Sequence, residues 1–390
     1  MMDRLFRKNP QRFCLLVLVI YFIFGLWPFN FLPRNGVQSL PEEPGVRFNG
    51  KGMAYAERPI FQGADLQASD SAASFTVELW LQASAEPTDG VPAIFTIYDG
   101  RLPENMLIGQ WRSEVLLRLP FADPKAILQY REVGASEALP KGKASFLTIT
   151  GDRAGTVFFQ NGKLKKRYPG FRTPAANLNG AFTLCAAAGM HRAWKGTMYG
   201  LALYSRSLAE EEVGDHYRSW MAKKMDRLRS EEGLEALFLF EGVALPGKVM
   251  DLSSRHHDLV VPEIYHVVDK IVLSSLVEDF RFSWSYFQDM LVNTLGFVPL
   301  GFFFFLCFGG RYPYLQRKTL LAMTLSLGVA VSLSIELLQY FLPTRSSQMM
   351  DLLLNSIGGW TGIRVAQSLW RKDMEPVKTR DRSGSTGVRL

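Results

Sequence analysis

Two stretches of the chain repeat one phrase, Asp289-x-x-x-Asn293 followed by Gly296 and Asp351-x-x-x-Asn355 followed by Gly358. Each lies in an apolar run, where a charged side chain costs roughly 2.5–3.5 kcal/mol on insertion scales and is usually kept for a reason. A spacing of four places carboxylate and amide on one face of a helix. A third apolar run carries Ser332, Glu336 and Gln339 at helical spacing, and Arg345 follows it in a short turn. Carboxylates, amides and one guanidinium at a common depth form a pocket suited to a polar headgroup or an envelope precursor. An enzymatic version would use Glu336 as general acid or base, its pKa raised by apolar surroundings. No nucleophile or metal motif accompanies it, so binding is the stronger expectation. The plainer alternative is that these groups bond one another and fix helix register, with Arg345 neutralising Asp351 or Glu336.

The elements that must position these residues are membrane helices. Crossing ~30 Å of hydrocarbon takes ~20 mostly apolar residues, and four stretches qualify: 13–32, 290–308, 320–342 and 349–369. The first closes on Trp27, Phe29 and Phe31, an interfacial aromatic belt. It is longer than a signal-peptide core and no small-residue cleavage site follows, so it reads as an uncleaved anchor. The fourth is the weakest, carrying Asp351, Asn355 and Arg364. Basic residues flank the runs on one side only: Arg4, Arg7, Lys8 and Arg12; Arg311, Arg317 and Lys318; Arg371, Lys372, Lys378, Arg380, Arg382 and Arg389. The positive-inside rule then makes both termini cytoplasmic and puts the long stretch between the first two runs outside. Both Asp-x-x-x-Asn phrases and Glu336 fall at the outer depth. Glycines 296, 301, 358, 359 and 362 suit close helix approach. Residues 267–288, with Phe280, Phe282, Trp284, Tyr286 and Phe287, read as a segment lying along the interface.

The whole chain has 390 residues, 47% hydrophobic and 21% charged, with a net charge of +7. Cytoplasmic flanks account for most of that charge, which removes the motive for a nucleic-acid partner and makes membrane lipid the expected one. The 13% aromatic content excludes collagen-like, coiled-coil and disordered classes. Cys14, Cys185 and Cys307 are too dispersed for a disulfide framework or a cysteine metal site.

Residues 45–262 are of soluble composition, with short alternating segments punctuated by Gly, Pro, Asn and Asp. Strands are predicted at 74–81, 93–98, 115–119, 145–150, 156–160, 182–185 and 196–204, and one helix at 209–228. Asn161-Gly162 between two apolar runs is a strong hairpin signal. The expected result is a β-sandwich. Trp80, Trp111 and Trp194 would stack on sugars if exposed, though buried core tryptophans are commoner. A calcium ion could sit on a rim of Asp65, Asp70, Asp89 or Asp99, but scattered loop aspartates are usually turn formers; no other cofactor is expected. His256 and His257 read as neighbours on a strand, pointing to opposite faces and unable to share a metal.

The order GVRFNGKGMAYAE, SFTVELWLQA, FLTITGDRAGTVFFQNGKL and GTMYGLALYSRSLAEEEVGDHY is similar to laminin-G-like, concanavalin A-like jelly-roll domains. The phrase FEGVALPGKVMDLSSRHHDL resembles an element often found at the N-terminal edge of such domains, so its late position implies a permuted arrangement. The resemblance implies glycan binding, protein binding or glycoside hydrolysis. The Glu-x-Asp-x-Glu strand of related glucanases is absent, so binding is favoured. A second resemblance spans the apolar runs. Leu26-Trp-Pro-Phe29, Asp289-x-x-x-Asn293-x-x-x-Phe297-x-Pro299-Leu-Gly301, Ser334-Ile-Glu336-Leu-Leu-Gln339 and Arg345…Asp351-x-x-x-Asn355-x-x-Gly358-Gly resemble the VanZ family. That likeness implies four membrane helices and an association with low-level resistance to the glycopeptide teicoplanin.

The expected architecture is an α-helical bundle of four transmembrane helices with an all-β jelly-roll sandwich inserted between helices 1 and 2. Its expected parts are 1–44 (cytoplasmic N-terminus and first helix), 45–262 (sandwich), 263–288 (interfacial linker), 289–370 (remaining helices) and 371–390 (basic cytoplasmic tail). The expected function is that of a multi-pass envelope protein whose sandwich binds a glycan or protein outside the cytoplasmic membrane. The expected binding residues are Asp289, Asn293, Glu336, Gln339, Arg345, Asp351 and Asn355. Two rivals stand beside this: a tethered lectin or adhesion module with the helices only as anchor, and a membrane-embedded enzyme acting on a lipid-linked substrate.

Overall fold

The computed structural model describes residues 10–40, 44–61, 72–99, 104–121, 130–186, 193–268, 270–276 and 284–374, the side chains of 10, 285 and 370–374 excepted. Two compact units result. One comprises Pro28–Val272 with Gln339–Ser346, the other the helices around Leu273–Leu338 and the segment from Ser347 onward, together with the N-terminal residues through Trp27.

The first unit is a sandwich of two antiparallel sheets. One contains β1 (Val37–Ser39), β2 (Val46–Asn49), β4 (Phe75–Ala83), β9 (Ala144–Gly151), β10 (Gly155–Gln160), β11 (Lys163–Pro169), β13 (Lys195–Tyr204) and β14 (Leu234–Leu239). Their order is β1-β2-β13-β4-β9-β10-β11, with β14 on the other half of β13. The second contains β3 (Ala54–Ala56), β5 (Ala93–Tyr98), β6 (Met106–Trp111), β7 (Glu114–Pro120), β8 (Tyr130–Ala135), β12 (Ala181–Leu184), β15 (Gly247–Val249) and β16 (Leu259–Val261), ordered β15-β16-β3-β12-β5-β6-β7-β8. Alternation sends Val77, Leu79 and Leu81 of β4 inward to meet Ile108, Leu117 and Phe182 from the facing sheet. Asn161 and Gly162 both take positive φ, 52° and 74°, as the primed turn of a tight hairpin requires. The strand after that turn is an exposed edge carrying Lys163, Lys165, Lys166 and Arg167, charges that discourage pairing with another sheet.

The outer face of the first sheet is not open to water. Helices α2 (Glu210–Met221) and α3 (Met225–Arg229) cover it, and Trp220, Val213 and Leu228 pack on Phe146, Phe159, Tyr204 and Leu237. Burying one such large side chain stabilises by roughly 1.5–3 kcal/mol. The single helix expected at 209–228 is therefore two. Lys223 takes φ 52°, and the Lys224 N–H returns to the Ser219 carbonyl, ending α2 in a left-handed turn without a glycine to announce it.

The second unit has α1 (Pro10–Leu26), α4 (Trp284–Arg311), α5 (Arg317–Gln339) and α6 (Met349–Met374). Tyr286–Arg311 and Arg317–Gln339 are long and apolar enough to cross a membrane, and Gln11–Leu26 is a shorter apolar helix. The first run, expected to continue to 32, stops at Leu26 because Pro28 excludes its predecessor from the helical region, and Phe29 takes φ 61°. Trp284, Tyr286 and Phe287, expected in an interfacial segment, form the first turn of α4; Phe280 and Phe282 lie outside the described residues. The long helices pack α4 along α6 and α1 along α4. Phe13 meets Phe303 and Tyr21 meets Phe297, each with ring centroids 5.2 Å apart, so α1 runs antiparallel to α4.

Candidate functional site

The α4–α6 seam is built on glycine. A Cβ added at Gly301 would strike the Gly359 carbonyl, one at Gly358 the Thr294 carbonyl, and one at Gly362 the Val298 carbonyl. Backbone contact of this kind is how membrane helices pack without a hydrophobic drive between them. Gly296 and Gly359 have open space at that position; Gly359 joins the seam through its backbone, which faces Gly301.

That approach brings the repeated phrases together. Asn293 Nδ2 donates to Asp351 Oδ1 at 2.6 Å, and Asn355 Nδ2 donates to Ser332 Oγ at 2.9 Å. Glu336, 2% exposed, accepts the Gln348 backbone N–H at 2.9 Å. This N–H lies at the start of α6, where the helix dipole favours an anion. The acceptor oxygen of Asn355 is buried with no hydrogen-bond partner, the one loose end of the seam among the described residues. Asp289 is exposed, one turn from Asn293 and not in the bonded set. Gln339 and Arg345 group with the sandwich unit; the Arg345 side chain is exposed and its N–H donates to the Leu342 carbonyl at 3.1 Å.

Two hydrogen-bonding positions were not legible in the sequence. Gln348 contributes a backbone group, which residue type cannot reveal. Lys270, a linker residue, donates its ammonium to the carbonyls of Gln339, Tyr340 and Leu342 at 2.9, 2.8 and 2.8 Å. Burial pushes its pKa down to about 8, while three carbonyls around the ammonium support the charged form.

In the sandwich, Trp194 is core, its indole N–H donating to Gln110 Oε1 at 2.7 Å, and Trp80 is half-buried beside Tyr199 and Trp220. Trp111 lies on the outer face of the second sheet, with Leu107 and Leu116. On the same face the Arg118 guanidinium stacks 3.8 Å over the Tyr130 ring and donates to Glu132 Oε2 at 2.8 Å. Burial and the charge of Glu132 push the neighbouring Glu114 carboxyl above its usual range. An aromatic plane beside a held guanidinium and carboxylates is a surface able to recognise a sugar. His256 and His257 lie in a turn rather than on a strand, and the His257 N–H donates to Asp251 Oδ2 at 2.8 Å. Asp251 also accepts the N–H groups of Leu237 and Ser253, so the Asp-x-Ser phrase is a turn lock. Among the described residues no group of three or more His, Cys, Asp or Glu could hold a metal ion. Asp65 and Asp70 lie outside the described residues.

Residues 61–214 match the family model of the concanavalin A-like lectin/glucanases superfamily, and residues 245–371 match that of VanZ/LLP1. Among solved structures the chain is similar to a Bacteroides ovatus protein described as a candidate carbohydrate binding protein, at 13% identity and TM-score 0.38 over 57% of this chain and 58% of that one. It is also similar to the CBM40 of Ruminococcus gnavus IT-sialidase bound to alpha2,3 sialyllactose, at 10% identity and TM-score 0.33 over 46% of this chain and 97% of that one. A third is domain 4 of AbnA, an extracellular arabinanase of Geobacillus stearothermophilus, in complex with arabinotriose, at 17% identity and TM-score 0.34 over 46% and 79%. The chain thus spans just over half the length of the first of these relatives. No curated protein matches. The helical part of the chain is accordingly VanZ/LLP1-like, and its sandwich is a concanavalin A-like lectin/glucanase-type domain.

Proposed function

We propose that this chain is a multi-pass protein of the bacterial cytoplasmic membrane, with four spanning helices, both termini cytoplasmic and the sandwich inserted outside between helices 1 and 2. Its helices expose Leu15, Phe24, Val292, Leu295, Ile357 and Val365, apolar side chains that water would penalise and acyl chains would cover. The antiparallel contact of α1 with α4 brings Arg12 to the Arg311 end, which fits a common cytoplasmic side. At the opposite end, the observation that carries the functional reading is the buried seam of Asn293, Asp351, Ser332, Asn355 and Glu336 between apolar helices. We read it as an outer-facing polar site for an envelope component, through which the protein lowers susceptibility to teicoplanin. Asp289, at the mouth of the helices, extends the site; Gln339 and Arg345 are assigned to it on sequence grounds.

The test is teicoplanin susceptibility in a sensitive host carrying equal membrane levels of the intact chain, Glu336→Gln or a deletion of 45–262. Protection should fall to the empty-host level with Glu336→Gln and persist without the sandwich. Equal susceptibility of all strains, empty host included, rejects the reading. The sandwich is read as a glycan-binding module that uses the Trp111, Arg118, Tyr130 and Glu132 face. Tyr130→Ala should weaken binding of the full-length protein on a glycan array about tenfold, about 1.4 kcal/mol for a lost stacking plane; an unchanged array profile removes this face from consideration.

A further inference from the structure

The end of the helical unit away from the polar seam holds a second site. Arg317, Lys318 and Leu321 at the start of α5, with Arg364, Gln367 and Ser368 of α6, line an open cavity of about 350 Å³. Three of these six are cations and no carboxylate is among them. Neither Lys318 nor Arg364 has an ion-pair partner among the described residues; Arg364 instead lies over the Trp360 ring at 5.7 Å. Gln367 is only 5% exposed, yet its amide makes no hydrogen bond among the described residues and faces the cavity. That amide is reachable from the cavity, where a ligand can complete its hydrogen bonds. The first turn of α5 has no acidic residue, so its dipole adds to the positive field.

We propose that this cavity binds the phosphate of an anionic phospholipid headgroup. Arg317, Lys318 and Arg364 neutralise the phosphate and the Gln367 amide donates to an ester or headgroup oxygen. A lipid is favoured over free phosphate because the helix that carries Arg364 and Gln367 also exposes the apolar side chains of Trp360, Val365 and Leu369, along which acyl chains would lie. The inference rests on the membrane-spanning reading above, and it concerns the opposite end of the helices from the teicoplanin site.

The full-length protein in a neutral detergent is titrated with phosphatidylglycerol or phosphatidylcholine and bound lipid is counted by native mass spectrometry. One phosphatidylglycerol should be retained in preference to phosphatidylcholine, and millimolar inorganic phosphate should not displace it. The pair Lys318→Gln with Arg364→Gln should raise the half-saturating concentration at least tenfold, while Arg311→Gln, at a cation outside the cavity, stays within twofold. Should the double variant not fold, Lys318→Gln alone, at an exposed first-turn position, should still raise it about threefold. Equal binding by variant and parent, equal retention of the two lipids, or displacement by inorganic phosphate overturns the proposal. Orientation is read separately: Lys318→Cys, in a background without the native cysteines, should resist an impermeant maleimide added to intact cells. Labelling there would reject the orientation and leave the lipid measurement standing.

Discussion

Glu78 has no solvent exposure and accepts three hydrogen bonds, from His216 Nδ1 at 2.9 Å, the Trp220 indole at 2.8 Å and the Tyr204 hydroxyl at 3.3 Å. The other nitrogen of His216 faces Glu231 at 3.5 Å. Burial alone would push the His216 pKa down. The hydrogen bond and charge of Glu78, with the charge of Glu231, outweigh burial and the opposing Arg206, so it is raised above 6.5. A raised folded-state value means that the stabilisation is fully present below the unfolded value and is lost as pH rises through the folded one. The melting temperature of the sandwich transition in the full chain should therefore fall as pH rises from about 6 through the weakly alkaline range. His216→Gln should flatten that slope, and a slope unchanged by the substitution would reject the assignment. Glu78→Gln, which leaves the donors around it with a weaker acceptor, should cost about 3 kcal/mol at neutral pH. Glu78 lay in plain view within the phrase SFTVELWL, but alternation places it on a solvent face; only the cover of α2 makes it buried. That cover is long-range, and no local pattern encodes it.

Among the elements, α4 is interrupted by Pro299, which removes one N–H from the helix and crowds the preceding turn. The gap is filled from another helix. The Tyr21 hydroxyl of α1 donates to the Gly296 carbonyl and accepts the Leu300 N–H at 3.1 Å, standing in for the bond that would join those two residues directly. Inside a membrane such backbone groups must be satisfied by protein, since no water is at hand. Tyr21→Phe keeps the ring contact with Phe297 and deletes the bridge, so it should cost about 1–3 kcal/mol. Thermal unfolding of the detergent-solubilised chain measures this; a change below about 0.5 kcal/mol would mean that α4 closes its own bond. Two helices, α4 and α5, were readable as long enough to span because apolar length is a local and strong signal, and the same holds for the strands bounded by turn residues. What joins them was partly readable. Glycine spacing pointed to the α4–α6 seam and singled out Gly301, Gly358 and Gly362, along with Gly296 and Gly359, where an added Cβ would meet open space. The Tyr21 bridge and the neighbouring thiols of Cys14 and Cys307 depend on helices far apart in sequence.

At the scale of the molecule, the chain enters the sandwich just after α1 and leaves it just before α4, and the two crossings are zipped together. The Asn35 N–H donates to the Glu263 carbonyl at 2.9 Å, the Tyr265 N–H to the Pro33 carbonyl at 2.8 Å, and the Asn35 amide spans the Met53 and Pro262 carbonyls at 2.8 Å each. β16 pairs with β3 beside this clasp, so the last strand of the sandwich ends up against one of its first. A domain whose ends meet can be added to a loop, or removed from it, without moving what the loop connects. Replacing 36–262 by a linker of about four Gly and Ser residues should accordingly leave a helical unit that still inserts, since each residue of linker spans up to ~3.5 Å and the ends are already hydrogen-bonded neighbours. Membrane fractionation and the melting of the shortened chain test this together. Integration with a melting temperature within a few degrees of the parent's helical transition is expected. Aggregation of the shortened chain when a linker twice as long rescues it would mean that the clasp holds strain the helices must share. Aggregation with both linkers would show that the sandwich is needed for the helices to fold, and the view of two units that fold separately would have to be abandoned.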